Sequence, residues 1–204
     1  MANYASLRGP IGLNRVYAAV SPGPLNIDSW LSSLKQGRTF ATNGPLLGFK
    51  LAGRRPGDDL KLPAGENKVK LMAWMRSYVP VEHLQVVCNG EVVKDLKLSA
   101  DRQSADIEDT IPISRSGWCL LRAFSDKSEY PVLDIYPYAS TSPIYVTVEG
   151  SPVKSATDAA FFGAWIDRLM EKVKSDKGWN TGAERESVLS LLSHARSVYM
   201  QMQK

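Results

Sequence analysis

Chemistry-bearing side chains are scarce in this chain of 204 residues, which holds two histidines and two cysteines. His83 enters a strand-like run and His194 sits late in a helical one. Neither has a histidine at i+4 or an HxH or HExxH frame, so no metal centre is expected on this chain and both read as surface or structural histidines. Cys88 and Cys119 lack CxxC spacing, which removes zinc-ribbon and thioredoxin-type readings. Both lie in apolar, strand-like runs and read as small buried hydrophobes, with one inter-strand disulfide left open. There is no G-x-S-x-G elbow, so the hydroxyl cluster Ser140, Thr141 and Ser142 in "YASTSP" reads as a turn before a strand. The stretch "AGRRPGDDL" (52–60) lacks G-x-x-x-x-G-K-[ST] and opens no helix, and is taken as a hairpin connection. Acidic "ADIEDT", with Asp106, Glu108 and Asp109, lacks an EF-hand loop and reads as a solvated edge strand. No apolar run approaches the ~18 residues of a membrane span, and no early window has the basic start, apolar core and cleavage site of an export signal. No membrane association and no signal peptide are therefore expected, and the compartment stays open.

What is present is an ordinary globular composition, 44% hydrophobic and 23% charged, with a net charge of +4. That charge is uneven: +7 over residues 1–80, −5 over 81–150 and +2 over 151–204. The basic residues of the first part (Arg8, Arg15, Lys35, Arg38, Lys50, Arg54, Arg55) are scattered rather than interleaved with aromatics on one face. That pattern suits a solvated or interdomain surface and not a nucleic-acid site.

Patterning divides the chain into three parts. Residues 1–45 form an entry segment with one helix: Asn26 suits the N-cap, Asp28 the positive helix start, Gly37 the stop, and Ile27, Trp30, Leu31 and Leu34 make the apolar stripe. Residues 46–150 alternate with period two between Gly, Pro, Asn and Asp clusters, which predicts an antiparallel, immunoglobulin-like β-sandwich. "VVCNGEVV" is its clearest hairpin, because Asn89-Gly90 tolerates the positive φ values of a type I′ turn. In residues 68–78, Val69, Leu71, Ala73 and Met75 share one face, while Met72, Trp74 and Tyr78 interrupt an otherwise polar one, which suggests partial cover. Residues 151–204 change to period 3.6 and predict a C-terminal helical hairpin. Its caps are Ser155 or Thr157 and then Thr181 with Glu184, and its stripes need a partner, the sandwich or another chain.

The stretch "GRTFATNGPLLGF" (37–49) joins the first two parts as a hinge: Gly37 ends the helix, 39–42 extends, Asn43-Gly44-Pro45 turns, and Leu46 starts the sandwich.

The order "GLNRVY" (12–17), "DSWLSSLKQGRTFATNGPLL" (28–47), "GRRPGD" (53–58), "NGEVV" (89–93), "GWCLLRA" (117–123) and "TSPIYV" (141–146), followed by "DAAFFGAWIDRL" and a last helix, resembles the C-terminal portion of the CehA/McbA, or carbaryl-hydrolase-like, branch of the PHP metallohydrolases. The match spans nearly the whole chain. "GRTFATNGPLL" and "TSPIYV" carry most of its specificity. In that family an N-terminal barrel holds the divalent metals and a β-rich region follows it.

The resemblance implies a noncatalytic accessory domain attached to an N-terminal PHP catalytic domain, with the helix and the strand at 38–42 on the barrel side. No histidine precedes residue 83, so the family's metal ligands have no counterpart here, and no catalytic, cofactor or metal residue is assigned. The divalent metal is expected in the catalytic domain. Relatives read Ala-His-Thr-Ser-Pro where this chain has Ala139-Ser140-Thr141-Ser142-Pro143, and no catalytic role passes to Ser140. Arg38, Asn43, Trp74 and Ser140 are the candidate interdomain or rim contacts. The alternative is an independent carbohydrate- or protein-binding module that uses the face with Trp74, Arg76 and Tyr78 or the pair Tyr136 and Tyr138. Oligomerisation stays open.

Overall fold

The computed structural model describes residues 12–20, 22–132 and 136–203. Among the described residues the chain is mainly β, with three helices, and it divides into two compact units, Met1–Pro152 and Val153–Lys204. Patterning also suggests a strand in "YPVLDIYP" (130–137), of which residues 133–135 lie outside the described residues.

The first unit holds β1 (Arg15–Ala18), α1 (Ile27–Lys35), β2 (Thr39–Thr42), β3 (Leu46–Leu51), β4 (Asp59–Leu62), β5 (Asn67–Arg76), β6 (His83–Cys88), β7 (Glu91–Asp95), β8 (Ser104–Ile113), β9 (Gly117–Phe124), β10 (Tyr138–Thr141) and β11 (Ile144–Val148). One sheet has three strands in the order β3-β5-β8. The other has eight: β1-β2-β10-β9-β11-β4, with β6 on the far edge of β9 and β7 beyond it. The core gathers alternate residues of both sheets, among them Leu51, Leu71 and Met75 from the smaller and Leu84, Leu121 and Ile144 from the larger. Val69, Leu71, Ala73 and Met75 are all buried, as their period-two spacing requires.

Local signals explain several elements. The Asn26 side chain accepts from the Ser29 amide while the Ser29 hydroxyl closes the capping box, and Gly37 sits beyond the helix end at φ +68°. Asn89 and Gly90 both have positive φ, 52° and 85°, and join β6 to β7 as a tight hairpin.

Four expectations need correction. The all-antiparallel sheet is in fact mixed, because β4 runs parallel to β11, Leu60 beside Val146. A parallel pair needs a long crossover, and here the intervening strands of the fold supply it in place of a helix. "AGRRPGDDL" is accordingly not a hairpin connection: it makes a tight turn closed by the Leu51–Arg54 bridge and then crosses to the other sheet as β4. "YAST" is a strand, β10, rather than a turn. Cys88 and Cys119 are directly opposed in β6 and β9 and form a disulfide, not two buried thiols.

The helix stripe behaves differently from a core face. Ile27, Trp30, Leu31 and Leu34 are 76%, 37%, 47% and 40% exposed, and the Ser33 hydroxyl ties the helix to the entry segment by donating to the Ala19 carbonyl.

The second unit is the expected hairpin of α2 (Ala156–Ser175) and α3 (Gly182–Met202), capped by Ser155 and Thr181. Phe162 stacks on Tyr199 at 5.2 Å, and Arg196 grips Asp167 with two guanidinium nitrogens. Phe161, Trp165, Leu169 and Leu191 stay exposed.

Candidate functional site

The larger sheet forks at Ser142-Pro143. β10 and β11 lie end to end along one edge of β9, with Tyr138–Ser140 against Arg122–Phe124 and Ile144–Val146 against Gly117–Cys119. Proline has no amide hydrogen for a ladder, so a break in the strand falls naturally here. Two distant segments fill the fork. The Ser142 amide donates to the Thr39 carbonyl at 2.8 Å, and the two hydroxyls of Thr39 and Ser142 bond at 2.7 Å. From the other side the Gly57 amide donates to the Pro143 carbonyl at 2.8 Å. Gly57 has φ +87°, and a Cβ there would strike the Gln36 carbonyl, so only glycine lets the loop approach the helix end. Three stretches that carried the resemblance, "GRT", "GRRPGD" and "TSP", thus meet at one point, their polar groups engaged with one another.

Beside the fork lies a groove of about 620 Å³. One wall is the outer face of the smaller sheet, whose register makes two cross-strand rows, Gly48–Trp74–Asp106 and Lys50–Met72–Glu108. The other wall is the β1–β2 ribbon, where Tyr17 stacks on its strand partner Phe40 at 4.9 Å. Arg38 and Arg55 complete the lining. Trp74 reaches into this space because Gly48 has no side chain to block it.

The charges of the groove are unequally satisfied. Arg76 holds both oxygens of Asp106 at 2.8 Å, and Lys70 lies 3.2 Å from Glu108. Arg38, Lys50 and Arg55 form no ion pair among the described residues.

The four residues singled out in the sequence are placed separately. Arg38 and Trp74 line the groove. Asn43 is buried and spent: its Nδ2 donates to the Tyr136 carbonyl at 2.9 Å and its Oδ1 accepts from the Tyr138 amide at 2.7 Å. Ser140 is half-buried in β10, and its hydroxyl makes only a 3.4 Å bond to the Thr141 carbonyl. Tyr78 is 85% exposed and lies outside the groove, and Tyr136 meets Tyr138 edge-on at 6.4 Å. Sequence reading missed Tyr17, Phe40 and Gly48. The one local signal was a glycine within an alternating strand, which often marks a close approach by another group.

Among the described residues one cluster has the donor types of a metal site, Glu82, His83 and Asp126. Both carboxylates are exposed, His83 stacks on Phe124 at 4.6 Å, and the Asp126 amide donates to Glu82 at 2.7 Å. These contacts join the start of β6 to the end of β9, a structural task that accounts for the cluster. His194 is exposed on α3. No helix among the described residues is long and apolar enough to cross a membrane.

Compared with known proteins, the chain matches no family model, no curated protein and no solved structure.

Proposed function

We propose that this chain is a noncatalytic accessory domain of a PHP-type metal-dependent hydrolase, which packs against the catalytic barrel and shapes the rim of its site. The observation that carries this reading is the exposed apolar face of α1, with Ile27, Trp30, Leu31 and Leu34 side by side on the segment that the resemblance assigns to the barrel side. Isolated exposed apolar residues are common, but a four-residue stripe on one short helix is a surface suited to a partner. The meeting of "GRT", "GRRPGD" and "TSP" at the fork adds support: their polar groups bond one another, which suits a shared structural task rather than catalysis. The connectivity supports an immunoglobulin-like sandwich as well, since β3-β5-β8 face a sheet containing β7-β6-β9-β11 and β4 pairs with the last strand. The divalent metal belongs to the barrel in this reading.

The test has two arms. The purified chain is expected to hold no stoichiometric metal and to turn over no chromogenic ester, and the coding sequence upstream of Met1 is expected to encode a His-rich barrel. In the intact hydrolase, Trp30→Glu with Leu34→Glu should loosen the two domains toward limited proteolysis. Tightly held metal with turnover by this chain alone would overturn the reading.

A second reading, an independent carbohydrate- or protein-binding module, is favoured by the groove between Trp74 and the Tyr17–Phe40 stack. Separately produced barrel and chain that never associate, together with a ligand bound by the chain alone, would favour it over the first.

A further inference from the structure

We infer that the groove beside the fork is a binding site for a small organic anion with a flat apolar body, such as an aromatic carboxylate. This rests on the groove being a binding site, as in the second reading above, and names its ligand class. It does not depend on the hydrolase parentage.

Size comes first. A volume of about 620 Å³ falls within the roughly 300–1,000 Å³ of small-molecule sites. Shape and surface come next. Trp74, Met72, Tyr17 and Phe40 present aromatic and thioether surface from two walls, and the indole is held in place by filling the space a side chain at Gly48 would take. A planar apolar body can lie between such walls, and each aromatic contact adds to simple burial.

Charge then selects among apolar ligands. Asp106 and Glu108 are neutralised by Arg76 and Lys70, so the carboxylates of the groove are already engaged. Arg38, Lys50 and Arg55 line the same space with no ion-pair partner among the described residues. The net offer to a ligand is positive, and guanidinium groups match carboxylates by paired hydrogen bonds. A carbohydrate fits less well. Sugar ring hydroxyls are often held by carboxylates, which accept their hydrogens, and the two carboxylates present are already engaged.

The experiment is calorimetric titration of the full chain with three probes of one shape: 2-naphthoate, 2-naphthalenemethanol and 2-naphthylmethylammonium. Naphthoate is expected to bind roughly tenfold more tightly than the alcohol, the scale of one partly exposed charge-assisted bond, with the ammonium weakest. Lys50→Gln with Arg55→Gln, both exposed and safe for folding, should reduce the preference for the anion, with Arg38 still in place, while leaving the alcohol unchanged. Trp74→Ala should weaken both. Equal binding of anion and alcohol would overturn the anion assignment and leave the groove as a site. Absence of binding by all three, or binding unaffected by Trp74→Ala in a variant with native circular dichroism, would overturn the groove as their site.

Discussion

The Trp74 indole occupies the space where a side chain on its cross-strand partner Gly48 would stand. Gly48 lies on the edge strand β3, and an aromatic ring laid over such a glycine restores the cover its missing side chain forfeits. Gly48→Val should therefore expel the ring. The expected cost is about 1–3 kcal/mol, the usual range for overpacking, with a red-shifted tryptophan emission as the indole meets water. An unshifted spectrum with unchanged stability would show that the ring does not depend on the glycine.

A larger loss is expected at Asn43. Its amide bonds the Tyr136 carbonyl and the Tyr138 amide, so that one buried side chain anchors the segment leading into β10. Asn43→Ala strands both groups, at about 1–3 kcal/mol for each. Asn43→Asp keeps the acceptor and loses the donor, yet it buries a charge and should also destabilise. Denaturant melts of the two variants would check this, and a neutral alanine substitution would place Asn43 outside the structural framework.

Reduction of the Cys88–Cys119 bridge should lower stability by about 3–4 kcal/mol, the loop-closure value for its separation of 31 residues. Comparing thermal unfolding with and without a reducing agent, and in Cys88→Ala with Cys119→Ala, gives the measurement. A chain equally stable in all three states would mean that the β6–β9 ladder alone sets the local order.

Acidification should act on the helical hairpin. The Arg196 guanidinium beside Asp167 holds that carboxyl below the usual carboxylate range. A carboxyl depressed in the folded state contributes its full stabilisation above its unfolded value of about 3.9, and the contribution disappears as pH falls through the lower folded value. Wild type should therefore melt above Asp167→Asn at pH 7, and the gap should close below about pH 4. The groups are exposed, so the gap is expected to be small and to shrink with salt. A gap that does not narrow as the pH falls below about 4 would assign the effect to packing.

Legibility followed the range of the interaction. The caps of all three helices, the Asn89-Gly90 turn and the buried face of β5 rest on neighbours a few residues apart, and each was readable from spacing. The parallel pairing of β4 with β11 and the β10 strand depend on partners far along the chain, which local pattern does not specify. The disulfide needed the register of β6 on β9, which places Cys88 opposite Cys119. The groove was half visible: Trp74 and Met72 stood out as apolar residues on a polar face, but their companions Tyr17 and Phe40 arrive on a ribbon more than thirty residues upstream of them. The α1 stripe was legible as an apolar face but its exposure was not, since amphipathic spacing reports that a face is apolar and not whether anything covers it.

The fork at Ser142-Pro143 imposes an order on the birth of the molecule. Thr39 and Gly57 leave the ribosome long before residues 142 and 143, so β2 and the turn before β4 wait through the synthesis of about a hundred and about eighty-five further residues for the backbone groups they will bond. Each waiting strand is four residues long, a short template for a wrong neighbour, and β4 carries the charges of Asp59 and Lys61. Short, charged edges discourage stray pairing, which allows the late-arriving β10 and β11 to find β2 and β4 unoccupied.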